Sequence, residues 1–221
     1  VQDGGVPVNL MLYGAGCFAN CILQIDNVGS YVLPADNNGY KTLAEQIAEK
    51  YPDNTGSDPD DKPSDKAYEM LQTFNTADDY ASAKVLTSIG GAGGSATISH
   101  LTGDKAVSGE GSLSVAMSNI TTAWDFVAVN VIPELPESEI TNAGGIFIRL
   151  KANNPEGAYW RLNFNSSSTD GWSVDTFALD DFAHWVTKDG TVGTGKLPVN
   201  FDGYVFLDMS LHSSEQQAVY A

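Results

Sequence analysis

Short runs of alternating apolar and polar residues, cut again and again by Gly, Pro, Asn and Asp, limit most strongly what this chain can become. A period of two places every second side chain on one face of a strand, and runs this short do not make stable helices. Eleven segments read in this way: Val8–Tyr13, Cys21–Val32, Tyr68–Phe74, Ala96–His100, Ser112–Met117, Phe126–Ile132, Gly145–Lys151, Ala158–Phe164, Trp172–Phe177, Ala183–Lys188 and Tyr204–Leu211. One stretch departs from the pattern. In TLAEQIAEKY, residues Leu43, Ile47 and Tyr51 recur at helical spacing and Pro52 stops them, which predicts a short helix over Thr42–Tyr51. Many short strands around one helix point to an all-β, antiparallel sandwich or barrel.

Charge removes several classes of function. The 221 residues carry 28 acids against 11 bases, a net charge of -17, so phosphate backbones and anionic lipid surfaces repel the chain. No apolar run approaches the roughly 20 residues that cross a bilayer, and VQDGGVPVNL has neither the basic nor the apolar part of a signal peptide. Neither nucleic-acid binding nor membrane insertion is expected. The segment Pro52–Lys66 holds five aspartates, two lysines and three prolines with no large apolar side chain, and reads as an acidic surface linker. Cys17 and Cys21 are too few for a disulfide framework or a four-ligand zinc site. At the tip of an expected hairpin they either close a five-residue loop by a disulfide, as suits an exported protein, or remain two buried thiols.

The order of segments carries a resemblance. YEMLQTFN, the Gly-rich turn of SGEGSLSVAM, TTAWDFVAVNV, GGIFIRLKANN, AYWRLNF and FDGYVFLDM follow one another as in bacterial jelly-roll carbohydrate-binding modules. The closing strand of such modules reads like IDNV, and that string occurs here at the beginning, within VPVNLMLYGAGCFANCILQIDNVGSYV. The chain is similar to the family 11 carbohydrate-binding modules, circularly permuted or cut as one period from a tandem array. The resemblance implies a galactose-binding-like jelly roll in which residues 1–34 supply closing hairpin strands, 35–66 a helix and linker without counterpart, and 67–221 the main body. Residues 6–32 then complete either their own sandwich or that of a neighbouring repeat or swapped subunit.

Alternation assigns faces for a binding site. In AYWRLNF, Trp160, Leu162 and Phe164 share one side and Tyr159, Arg161 and Asn163 the other; in GGIFIRLK, Ile146, Ile148 and Leu150 oppose Phe147, Arg149 and Lys151. ANNPEG between these runs predicts that they pair as adjacent antiparallel strands. Arg149 and Arg161, the chain's two arginines, then share a non-core face with aromatic rings and amides. Sugars need that mixture, because a pyranose stacks its apolar face on a ring and offers a rim of hydroxyls to planar polar groups. The resemblance implies a cleft holding Tyr13, Arg149, Tyr159, Arg161 and Tyr204. Trp172 and Trp185, in loop-rich sequence, are further ligand candidates. The competing reading is a surface face that carries Tyr, Arg and Asn for solubility.

The resemblance also implies a structural Ca2+ held by hard oxygen ligands, at positions matching Asp26, Asn75 and the turn at Ser108–Gly111 with Glu110. Asn75 stands where a carboxylate is usual. The other reading of Asp26 is a turn-capping carboxylate that accepts backbone N–H groups. Catalytic residues are not expected: GxSxG, HExxH and GxxxxGK[ST] motifs are missing, and the acid pairs Asp60/Asp61, Asp78/Asp79 and Asp180/Asp181 are sequence neighbours rather than a facing pair. The sequence therefore points to a non-catalytic extracellular or cell-surface module that binds a plant cell-wall or storage polysaccharide. The alternative is a structural or adhesive repeat, and a glycoside-active enzyme comes third.

Overall fold

The computed structural model describes residues 6–13, 21–50, 68–82, 84–86, 95–118, 126–135, 145–153, 159–164, 175–178 and 183–208. Strands β1 (Val6–Tyr13), β4 (Lys84–Leu86), β7 (Phe126–Leu135), β9 (Tyr159–Phe164) and β10 (Asp175–Ala178) form a five-stranded sheet in the order β10-β9-β1-β7-β4. The eight-stranded sheet runs β12 (Val192–Thr194), β11 (His184–Thr187), β13 (Asp202–Asp208), β8 (Gly145–Ala152), β2 (Cys21–Tyr31), β6 (Gly111–Ser118) and β5 (Ser95–Thr102). Strand β3 (Tyr68–Gln72) pairs with the second half of β2. All pairings are antiparallel, and the chain is an all-β sandwich in which β5 lies against β4 and β7 where the sheets meet. The eleven strands expected from alternation are all present, and β4 and β12, three residues each, are additional.

Pairing corrects the expected topology at two places. GGIFIRLKA and YWRLNF are not partners: β8 pairs with β2 and β13, whereas β9 pairs with β1 and β10 in the other sheet. The connection after Asn153 thus crosses between sheets. Likewise β1 and β2 do not form a hairpin, so Cys21 begins a strand of the second sheet rather than ending a tight turn. It is in a disulfide, and the other cysteine in the sequence, Cys17, lies outside the described residues, as do Trp172 and the linker Pro52–Lys66. Strands β1 and β2 complete the sandwich of their own chain.

Inside the sandwich, Leu23, Ile25 and Val28 of β2 pack with Leu113 and Val115 of β6, Ile146, Ile148 and Leu150 of β8, and Val205 and Leu207 of β13. The opposite face of this sheet is also buried. Tyr31, Phe147, Tyr204 and Phe206 present an aromatic surface that α1 (Asn37–Lys50) covers with Tyr40, Leu43, Ala44 and Ile47. The spacing i, i+3, i+4, i+7 gives the helix its single apolar stripe. It begins five residues earlier than expected because Asp36 Oδ1 accepts the Gly39 N–H at 3.0 Å and caps the first turn. Helix α2 (Ala77–Ser82) was not expected; Thr76 and Asp79 bond each other's backbone N–H at 3.2 Å in a capping box. Among the described residues, no helix is long and apolar enough to cross a membrane.

Ile47 is completely buried between the helix and the aromatic face. Ile47→Ala is expected to destabilise the protein by about 2–5 kcal/mol, measured by denaturant unfolding, whereas Glu49→Ala on the exposed side of the same helix changes stability by less than about 0.5 kcal/mol.

Candidate functional site

The pleat sends Arg149 to the outer face of β8, in register with Asp26 of β2 on one side and Tyr204 of β13 on the other. Its guanidinium is buried at 2% exposure. Nη1 donates to the carbonyls of Leu150 and Gly203, each at 3.1 Å, and Nη2 lies 2.6 Å from Asp202 Oδ1. The guanidinium carbon sits 5.5 Å from the centre of the Tyr204 ring, within cation–π range.

Two clefts adjoin this arginine. The first, about 520 Å³, lies between α1, which contributes Lys41, Ala44, Glu45 and Ala48, and the turn Thr187–Gly190 after β11, with Tyr204 and Arg149 at its floor. Thr187 Oγ1 donates to Asp189, and the Thr191 N–H donates back to Thr187 Oγ1 at 3.0 Å, so the turn is stiffened by its own side chains. The Thr187 hydroxyl, and with it the Thr191 N–H at 3.4 Å, donates to Asp189 and holds its carboxyl below the usual carboxylate range. The second cleft, about 420 Å³, is lined by Gln24, Lys151, Asp202 and the segment Asp104–Val107. Arg149 and Lys188 line both.

The positions implied for calcium do converge. Asp26 Oδ2 accepts the Ser108 N–H at 2.8 Å and the Ser108 hydroxyl at 2.9 Å, while Oδ1 accepts the Asn27 N–H at 2.8 Å. Asn27 Nδ2 donates to Ser108 Oγ at 2.7 Å. Asn75 Oδ1 accepts the N–H groups of Glu110 and Gly111 at 2.9 and 3.1 Å. As arranged, Asp26 and Asn75 do not fit a cation, because their oxygens face N–H and O–H donors whose positive ends repel it, and the Glu110 side chain is exposed. This geometry is the turn-capping one. It occurs where β2 bulges at Asn27 (φ 36°) and changes its edge partner from β6 to β3.

The expected binding residues divide between the sheets. Arg149 and Tyr204 share the floor described above, whereas Tyr13, Tyr159 and Arg161 belong to the five-stranded sheet, where Tyr13 pairs with Tyr159 and Met11 with Arg161. The five residues expected on one concave sheet are therefore divided between two sheets. Trp185 packs instead against the inner core, edge-on to Phe201 at 6.3 Å, and its ring fills the space that a side chain on Gly193, its cross-strand partner, needs. His100 donates to the Phe74 carbonyl at 2.8 Å and stacks on Tyr80; His184, lowered in pKa by burial, stacks on Tyr40 with ring centres 4.2 Å apart. Both are packing residues. Sequence reading missed Lys41, Glu45 and the Thr187–Gly190 turn, which the helix and a strand distant in sequence bring together. Comparison with protein families, curated proteins and solved structures finds no match to this chain.

Arg149→Ala removes the donor that the Leu150 and Gly203 carbonyls share and leaves Asp202, itself 30% exposed, only the more distant Lys151 at 4.0 Å; it is expected to cost about 1–3 kcal/mol in denaturant unfolding, the range for leaving buried acceptors unpaired. Burial raises the Asp26 pKa from 3.8 to about 7, against the opposing pull of the Ser108 and Asn27 bonds and of Arg149. The folded state therefore holds a proton that the unfolded chain releases, so this contribution is complete below pH 3.8 and is lost as pH rises through about 7. Asp26→Asn removes that dependence: unfolding followed from pH 4 to about 8 is expected to show the parent losing stability relative to the variant, with the difference levelling off above about 7.

Proposed function

We propose that this chain is a non-catalytic, polysaccharide-binding β-sandwich of an exported protein, with its ligand lying in the paired clefts around Arg149. The observation that carries this reading is the first cleft, a preformed hollow large enough for a sugar unit, with a rigid turn on one wall and helix side chains on the other. Glu45, Asp189, Thr187 and Lys41 give that hollow both acceptors and donors for hydroxyl groups. Of the carboxylates that line the two clefts, Asp202 is paired with Arg149 and Asp189 is held low, so neither of these two is the raised-pKa acid that a glycosidase needs. The disulfide at Cys21 supports an oxidising, extracellular setting. A structural or adhesive repeat remains the second reading, favoured by the engagement of Arg149 in the fold's own hydrogen bonds.

Affinity electrophoresis through gels of β-glucan, xylan, mannan, pectin and starch tests the proposal. Ala48 is exposed on the cleft wall, so Ala48→Trp fills the hollow without touching the core. Retardation by one or more polymers, reduced at least about tenfold in affinity by Ala48→Trp, is the expected result. Retardation that Ala48→Trp leaves intact and Tyr159→Ala abolishes moves the site to the five-stranded sheet; no retardation by any polymer favours the structural repeat.

A further inference from the structure

One wall of the first cleft is α1, and the seating of that helix passes through a titratable ring. Tyr40, in the first turns of the helix, is buried against three others: it stacks on His184 of β11 with centroids 4.2 Å and planes 12° apart, meets Tyr31 edge-on at 6.1 Å and lies tilted on Phe206 at 5.4 Å. Burial pushes the Tyr31 and Tyr40 hydroxyls up, so His184 is the ring of this group that changes charge between neutral and acid pH. Its Nδ1 is buried and has no hydrogen-bond partner among the described residues. The neutral ring tolerates that place by carrying its hydrogen on Nε2. The imidazolium has an N–H on both nitrogens, which puts a buried donor at Nδ1 with nothing to accept it.

Burial lowers the His184 pKa from 6.5, against the pull of Asp208 of β13, which favours the charged ring. The face of Tyr40 also attracts a cation, but in a near-parallel stack the imidazole N–H bonds run along that face and it accepts neither. Around the ring, then, α1 presents Tyr40 and β13 presents Asp208, while Tyr31 of β2 lies behind Tyr40. Strand β12 brings no titratable group, Lys196 beyond it is exposed, and Lys41 of α1 lies beside Gly190.

We propose that His184 is an acid-sensitive catch for α1: neutral, it holds Tyr40 and the start of the helix on the sheet, and protonated, it releases them, so that the wall of the first cleft loosens as pH falls. The seating of the helix involves no ligand, and only its effect on affinity rests on the polysaccharide reading. A histidine held neutral by the fold contributes stability above pH 6.5 that is lost as pH falls below that value. Asp26 acts in the opposite sense, so the measurement has to be local to α1.

Native-state hydrogen exchange between pH 7 and about 4.5, corrected for intrinsic rates, gives the protection of α1 amides relative to those of β2 and β8. In the parent this ratio is expected to fall at least about threefold across the range. In His184→Phe, which keeps a flat ring against Tyr40 without the charge, it stays constant; His184→Gln, smaller and uncharged, is run beside it so that the comparison does not hang on one packing change. NMR titration of the imidazole protons, assigned among the chain's three histidines with these variants, places His184 below 6.5. An unchanged ratio in the parent, an equal fall in both variants, or a His184 that titrates at or above 6.5 overturns the inference. Affinity gels at the two ends of the range, with any polymer that retains the parent, then join the catch to the cleft: retention weakens in acid for the parent and not for His184→Phe. Retention equal at both ends in the parent overturns the effect on the cleft. No retention by any polymer, beside an exchange ratio that falls as expected, removes the polysaccharide reading and leaves the catch in place.

Discussion

The eight-stranded sheet is apolar on both faces, and that constraint organises everything else. One face is aliphatic and meets the interior of the sandwich. The other carries Tyr31, Phe147, Tyr204 and Phe206, a surface too apolar to be left in water at roughly 25 cal/mol per Å². Helix α1 has to cover it, and its stripe of Tyr40, Leu43, Ala44 and Ile47 is matched to that task. The helix covers only part of the face. Where it ends, the sheet continues with Arg149, Lys151 and Asp202, and the step from helix to open sheet is what creates the clefts.

Arg149 marks the border between these regimes. Its side chain points to the face that alternation assigned, yet it is buried rather than presented: the Leu150 and Gly203 carbonyls accept from Nη1, Asp202 forms an ion pair with Nη2, and Tyr204 lies against it. A charge in such a place holds β8 and β13 in register more than it grips a ligand. The hollow above it is walled by α1 and by the Thr187–Gly190 turn. Asp26 has a similar part at the Asn27 bulge, where the Ser108 hydrogen bonds fasten the loop before β6 to the central strand.

Much of the fold was legible because strand alternation is a local signal. The residues of β8 that face inward and outward were assigned correctly from GGIFIRLK alone. Partnership was not legible: ANNPEG looks like a hairpin loop, and nothing local reveals that the chain crosses to the other sheet there. The start of α1 was hidden by Asn37, Asn38 and Gly39, which read as loop until Asp36 is recognised as their cap. The T-x-x-D pattern of Thr76 and Asp79 was a readable sign of α2, but its six residues have no apolar period to draw attention. At the site, Trp185 was misread because its surroundings are polar, while the residue that decides its position, Gly193, acts through pairing. The helix that covers Phe147 and the aromatic face beside it could not be docked by any rule of spacing.

Strand β2 is central in space but early in the chain, and this has a consequence for how the protein is made. Asp26 waits for Ser108, 82 residues later, and the backbone of Ile22 waits for Asn153, 131 residues later. During synthesis the first apolar strands leave the ribosome long before their partners on β6 and β8 exist, and contacts this distant in sequence slow folding by the cost of closing large loops. Until then their edges are open to the wrong neighbours. A nascent chain of this kind depends on being kept apart from its copies until the middle strand can be enclosed from both sides.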